Sequence, residues 1–202
     1  MDLTAFAVTF GTIFLVELPD KTFIAALVLS TRYRPLLVWI GVGLAFLVQT
    51  LVAVLAGKAA TLLPDTLIAG VTIVIFLAGA IILFRTAPGA DKGEQQTESE
   101  YAAKATTPKT GFKVIAASFL VLFAAEWGDL SQLLTINMVA RYDDHVSVFL
   151  GAWGALLVVS GLAVLSGRWL LRKMRLSLLH YIGSTVCLSL ACFTAYELLK
   201  AT

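Results

Sequence analysis

Six long apolar runs, set apart by short polar or charged connections, organise this chain of 202 residues. They extend from Leu3 to Ser30, Leu36 to Ala56, Thr66 to Phe84, Val114 to Ala140, Val146 to Ser166 and Leu178 to Leu199. A helix needs roughly 20 residues at about 1.5 Å each to cross a bilayer core, so the pattern predicts six transmembrane helices. Turn or charge signals mark Arg32 to Pro35, Lys58 to Asp65, Arg141 to His145 and Gly167 to Ser177. The long polar stretch from Arg85 to Lys113 carries Pro88, Gly89, Gly93 and Pro108, and reads as a disordered cytoplasmic linker. The expected organisation is a three-helix repeat over residues 1–85, the linker over 86–113, and a second three-helix repeat over 114–202.

Composition agrees with the pattern. Hydrophobic residues make up 59% of the chain and the mean hydropathy is +0.89, well beyond the roughly 45–50% apolar content of soluble domains. The expected class is an all-α integral membrane protein with no large soluble domain. The net charge of +2 offers no basic aromatic surface to nucleic acid. Met1-Asp2-Leu3-Thr4 lacks the positive n-region of a secretory signal, so the first run is expected to stay in the protein. Cys187 and Cys192 lie in the last run at a spacing poor for a disulfide, and read as packing residues.

The basic residues set the orientation. Connections after the first, third and fifth runs hold Arg32, Arg34, Arg85, Lys92, Lys104, Lys109, Lys113, Arg168, Arg172, Lys173 and Arg175, against Lys58, Arg141 and Lys200 on the other side. By the positive-inside bias, both termini face outward and the linker is cytoplasmic.

The chain also repeats itself. An offset of 109 maps Glu17-Leu18-Pro19-Asp20 onto Glu126-Trp127-Gly128-Asp129, Thr22 onto Ser131 and Arg32-Tyr33 onto Arg141-Tyr142. One further inserted residue brings Gly41 to Gly151 and Gly57-Lys58 to Gly167-Arg168. Because the repeated unit has three helices, the second copy enters from the opposite side, giving two inverted repeats.

Acidic groups inside an apolar span cost roughly 2.5–3.5 kcal/mol each on insertion scales. Four of them, Glu17, Asp20, Glu126 and Asp129, sit at matching places, and antiparallel crossing of the first and fourth helices would bring them together. That gives an all-oxygen site of the kind hard cations such as calcium and manganese accept, with no Cys or His near either motif for a soft-ligand metal. Pro19 cannot donate to the carbonyl of Leu15, which adds a free oxygen. Lys21 lies four residues after Glu17, the order that favours an intrahelical ion pair. Thr22 and Ser131 can complete the shell, Gln132 can supply an uncharged oxygen, and Gln49 and Asn137 are polar groups along the path that serve interhelical hydrogen bonding equally well.

The bland alternative makes the acids mere fasteners between two helices, but one lysine cannot pair four of them. Trp39, Trp127 and Trp153 read as packing or interfacial residues. Asp143-Asp144-His145 reads as a solvated turn. A six-helix exporter of amino acids or other small solutes is the rival class, although a tetra-acidic centre suits a zwitterion poorly. An intramembrane peptidase would want Gly-x-Gly-Asp or His-Glu-x-x-His, and neither sequence is present.

Paired Glu-x-Gly-Asp-Lys/Arg-Ser/Thr motifs on a duplicated six-helix chain resemble the small cation/proton exchanger family once catalogued as uncharacterised protein family 0016. Its eukaryotic members are Golgi calcium and manganese transporters and its bacterial members include manganese exporters. The motifs here read Glu17-Leu18-Pro19-Asp20-Lys21-Thr22 and Glu126-Trp127-Gly128-Asp129-Leu130-Ser131. Pro19 stands where the family has glycine and Leu130 where it has a basic residue. The resemblance implies exchange of a divalent cation, Mn2+ or Ca2+, for protons, with the cation as substrate, no cofactor and no enzyme activity. A prokaryotic plasma membrane is the expected location.

Overall fold

A computed structural model describes residues 1–18, 20–62, 64–104, 110–142, 144–173 and 176–201. Those residues are overwhelmingly helical, and no strand occurs among them. The helices are α1 (Leu3–Glu17), α2 (Lys21–Arg32), α3 (Pro35–Ala60), α4 (Asp65–Thr86), α5 (Ala90–Lys104), α6 (Phe112–Ala125), α7 (Leu130–Arg141), α8 (His145–Lys173) and α9 (Leu176–Ala201), with a 3₁₀ turn at Ala87–Gly89.

Two of the six expected spans are not continuous helices. The first run breaks after Glu17 into α1 and α2, and the fourth breaks after Ala125 into α6 and α7, which meet at a bend of 75°. Four unbroken helices are long and apolar enough to cross a membrane, or five segments if the bent pair counts as one. The cause of each break is local. A proline at position 19, itself outside the described residues, has no N–H for the carbonyl of Leu15. Gly128 takes φ +79°, a conformation that excludes the next helical turn. Asp20 and Asp129 then restart the chain as N-caps of α2 and α7 with extended backbone.

The linker also departs from expectation. Instead of disorder beyond Arg85, α4 runs to Thr86, the 3₁₀ turn follows, and α5 packs along α2 with Tyr101 buried. Pro108 and Lys109 lie outside the described residues. The connection expected from Gly167 to Ser177 is largely helical, because α8 continues to Lys173 and α9 begins at Leu176; Arg175 lies outside the described residues. The Cys187 and Cys192 thiols are both free, one buried and one exposed.

Packing pairs the halves crosswise. Helix α1 lies along α8, α6 lies along α3, and α4 lies along α9. Glycines permit the closest approaches: a Cβ on Gly41 would stand 2.5 Å from the carbonyl oxygen of Ile115, and one on Gly151 would stand 2.8 Å from that of Phe6. Gly41 and Gly151 are counterparts in the duplication, as are Phe6 and Ile115. The Trp39 indole donates to the Leu157 carbonyl and the Trp153 indole to the Gly43 carbonyl, each at 3.1 Å, so both rings tie α3 to α8. Trp127 is exposed and packs beside Phe123.

Asp143 lies outside the described residues, but its neighbour is no free surface acid. Asp144 accepts hydrogen bonds from the Ser147 N–H and hydroxyl and from the Asp2 N–H, which hold its carboxyl well below the usual range. It thereby fastens the start of α1 to the start of α8.

Because a β-carbon at Gly41 or Gly151 would meet backbone, Gly41→Ala or Gly151→Ala should destabilise the protein by about 1–3 kcal/mol. Gly70→Ala, with nothing within 4 Å of the new carbon, should be neutral or stabilising by up to about 1 kcal/mol. Thermal unfolding of the three variants in detergent checks the contrast.

Candidate metal centre

The two helix breaks face each other and deliver four carboxylates to one point. Glu17 is the last residue of α1 and Glu126 the C-cap of α6, while Asp20 and Asp129 open α2 and α7. One oxygen from each lies within 4.8 Å of the others. Glu17 is fully buried and Glu126 is 4% exposed; both aspartates are half-buried.

Hydrogen bonds leave this cluster short of positive partners. Both carboxyl oxygens of Glu17 and Oε2 of Glu126 are buried with no hydrogen-bond partner. Oε1 of Glu126 accepts from the Thr22 hydroxyl, a contact that crosses from the first motif to the second. Asp20 accepts from the adjacent Lys21 N–H at 2.7 Å, and Asp129 makes no capping bond through its side chain. Ionised carboxylates about 5 Å apart repel by about 3 kcal/mol per pair at an effective dielectric of about 20. The carbonyl ends of α1 and α6 point the negative pole of each helix at the same place. The arrangement therefore demands positive charge, as a cation or as protons.

The remaining residues singled out from sequence divide clearly. Lys21 does not pair with Glu17: it is exposed, and the break between them removes the helical register that would align the two. The Gln132 oxygen accepts the Gly128 N–H at 2.8 Å, holding the turn, and the residue borders the same small space as Glu126. Gln49 donates to the Phe123 carbonyl at 3.0 Å, one of the acceptors orphaned where α6 stops, and it borders the same small space as Glu126. Ser131 is buried and lines that space as well. Asn137 instead donates to Thr72 and ties α7 to α4. The Leu15 carbonyl faces Gly183 of α9, 3.6 Å from where its β-carbon would stand.

Two spaces of very different size border the acids. A cavity of about 540 Å³ reaches Asp20 and Asp129, and Lys21, Arg85 and His180 share its walls with α5. On the Glu126 side, among Gln49, Ser131 and Thr135, the free space is only about 10 Å³, room for about one water. Sequence reading missed Tyr101 and the α5 wall, which only the packed structure places beside the acids.

A family model described as divalent cation/proton antiporter GDT1 matches residues 5–91 and 114–202. The chain is 29% identical to GDT1-like protein 1, chloroplastic, of Oryza sativa subsp. indica, over 98% of this chain and 63% of that protein. It thus spans less than two thirds of the length of the rice relative. It is 30% identical to GDT1-like protein sll0615 of Synechocystis, covering 90% of this chain and 91% of that one, and 30% identical to a Vibrio cholerae protein named "Putative manganese exporter", covering 96% and 92%. No solved structure matches.

Since the Gln49 amide satisfies a carbonyl at the broken end of α6, Gln49→Leu should leave that acceptor bare and cost about 1–3 kcal/mol. A lowered unfolding midpoint in detergent, with Gln49→Asn falling between the two, is the expected result.

Proposed function

The chain belongs to the GDT1 family of divalent cation/proton antiporters, and from that premise we propose that it carries Mn2+ or Ca2+ out of the cytoplasm in exchange for protons. Glu17, Asp20, Glu126 and Asp129 bind the cation, with Thr22 and Ser131 orienting the carboxylates. The observation that carries this reading is the convergence of four carboxyl oxygens within 4.8 Å, three oxygens of the two glutamates being buried and without a partner. In a carrier of this kind the ion is substrate, and no chemical step is catalysed.

Metal and protons compete for the same oxygens. Empty of metal, the cluster relieves its repulsion by taking up protons; a divalent ion neutralises the charge and drives those protons off. Alternating exposure of the cluster to the two sides then couples the two flows in opposite directions. All-oxygen ligation suits Mn2+ and Ca2+ alike.

The proposed topology has six crossings in two inverted repeats, with both termini outside: α1 with α2, α3 and α4, then α6 with α7, α8 and α9. In support, the offset of 109 carries the bounds of α2 onto those of α7, and the crosswise pairs α1–α8 and α6–α3 exchange under the same relation. The basic residues at Arg32, Arg34 and Arg85 support a cytoplasmic location for that end. A prokaryotic plasma membrane is the proposed location. The rival reading, export of an amino acid, gains less from the cluster, because four convergent carboxyl groups suit a zwitterion poorly.

Purified protein in proteoliposomes with a pH gradient tests the reading. Glu17→Gln and Asp129→Asn should abolish manganese-driven proton flux, and retention of flux by either would end the proposal. Thr22→Ala should weaken Mn2+ by about 10–100-fold while leaving transport measurable, as loss of a group that orients a ligand does. Lowering the pH on the metal-loading side should raise the apparent KM for Mn2+, since protonated carboxyls do not bind it.

A further inference from the structure

The cavity that reaches Asp20 and Asp129 is larger, and more mixed in charge, than a bare cation needs. Its volume of about 540 Å³ falls among those of small-molecule pockets, for which about 300–1,000 Å³ is usual. A divalent ion in a shell of about six waters, each taking about 30 Å³, fills roughly 200 Å³. Over half of the space is left for something else.

Basic side chains border that space. Lys21 lines it from α2, Arg85 from the last turn of α4 and His180 from α9. Beside a cation path such groups are costly, because like charges repel across a space of this size. Helix stability does not explain Lys21, which is the first residue of α2, the end at which a positive charge opposes the helix dipole. Its counterpart in the duplication, Leu130, lines the same cavity without charge. Lys21 and Arg85 form no ion pair among the described residues. Asp20 and Asp129 share the cavity with them, but once the aspartates hold a divalent ion their charge is spent, and the two fixed positive charges are left without a counter-charge.

We propose that this cavity binds a small polyvalent oxyanion, a polycarboxylate or a phosphate, together with the cation. The metal lies against Asp20 and Asp129, and the anion against Lys21, Arg85 and the His180 ring. Arg85 presents a planar fork that holds such groups by paired hydrogen bonds, and it stands at the end from which the proposed topology loads the cation. A zwitterion matches the walls less well, since its single ammonium would face two carboxylates and its single carboxylate two bases. This inference rests on the reading of the four acids as a cation site, and it is tested by binding rather than by transport.

The test is equilibrium dialysis of the full-length purified protein in detergent, with labelled inorganic phosphate in one arm and labelled citrate in the other, at a fixed concentration of free Mn2+. Mn2+ should tighten anion binding about tenfold, and the anion should tighten Mn2+ by the same factor, because coupling between two ligands is reciprocal. Both enhancements should vanish in Arg85→Gln and return in part in Arg85→Lys, while Mn2+ binding without the anion should match that of the parent. An enhancement confined to one arm identifies the anion as phosphate or as carboxylate. Retention of neither anion, or retention indifferent to Mn2+ or to Arg85→Gln, would overturn the proposal, as would labelled glycine bound in preference to both. Should Arg85→Gln fail to fold, Lys21→Gln decides by the same loss of anion binding. The flux assay runs without added oxyanion, so flux that survived Glu17→Gln would count against the transport reading, whereas parental flux in a protein that retains no anion would count against this inference alone.

Discussion

Mutual repulsion among four carboxyl groups, confined where water is scarce, is the constraint to which the rest of this structure answers. Among the described residues, the packing does little to relieve it. The buried oxygens of Glu17 receive no hydrogen bond and those of Glu126 receive one, from Thr22. A fold that merely needed to join two helices would have no reason to keep such a cluster, whereas one that must hold and release a small positive ion needs an unsatisfied demand of this kind. The broken helices are part of the same design. By stopping α1 and α6 at their glutamates and starting α2 and α7 at their aspartates, the chain sets charge, carbonyl dipoles and free backbone at one level of the bundle.

The two half-sites are related by duplication but are not equivalent. Thr22 crosses to Glu126, while Ser131 faces a space barely large enough for one water. Gln132 secures the turn around Gly128, and its counterpart Phe23 is an apolar side chain that is almost wholly buried. One half thus carries more of the polar scaffolding and the other more of the unrelieved charge. The open cavity meets the aspartates first and the glutamates only behind them, so an incoming ion would be drawn by the half-buried pair before it displaced protons from the buried one.

Much of this was legible in the order of residues, because charge inside an apolar run is conspicuous and repeats at a fixed offset are countable. The helical class, the four acids and the relation between Gly41 and Gly151 all came from that kind of signal. The breaks did not, since an interruption of three or four residues barely changes the apolar content of a run. That omission had a cost at Lys21, whose expected partnership with Glu17 assumed one continuous helix. Helix α5 was hidden for another reason. Its inward stripe is Ala90, Gly93, Thr97 and Tyr101, and a single large side chain makes no hydrophobic period, so the segment looked like tether. Gln49 was conspicuous as a buried polar residue, but its use depends on a carbonyl set free only where α6 ends.

The glycine contacts decide which helices are pressed together most closely. Gly151 presses α8 onto α1, while Gly41 and Gly57 press α3 onto α6 and α7, in each case with a would-be β-carbon inside 3 Å of backbone. Such surfaces have no room to slide. The tightest contacts therefore join helices from both copies, α1 with α8 and α3 with α6 and α7, and the Trp39 and Trp153 hydrogen bonds connect the two sets through α3 and α8. Ancestry divides the chain in the middle, but packing runs across that division, and neither inherited half closes its own surfaces.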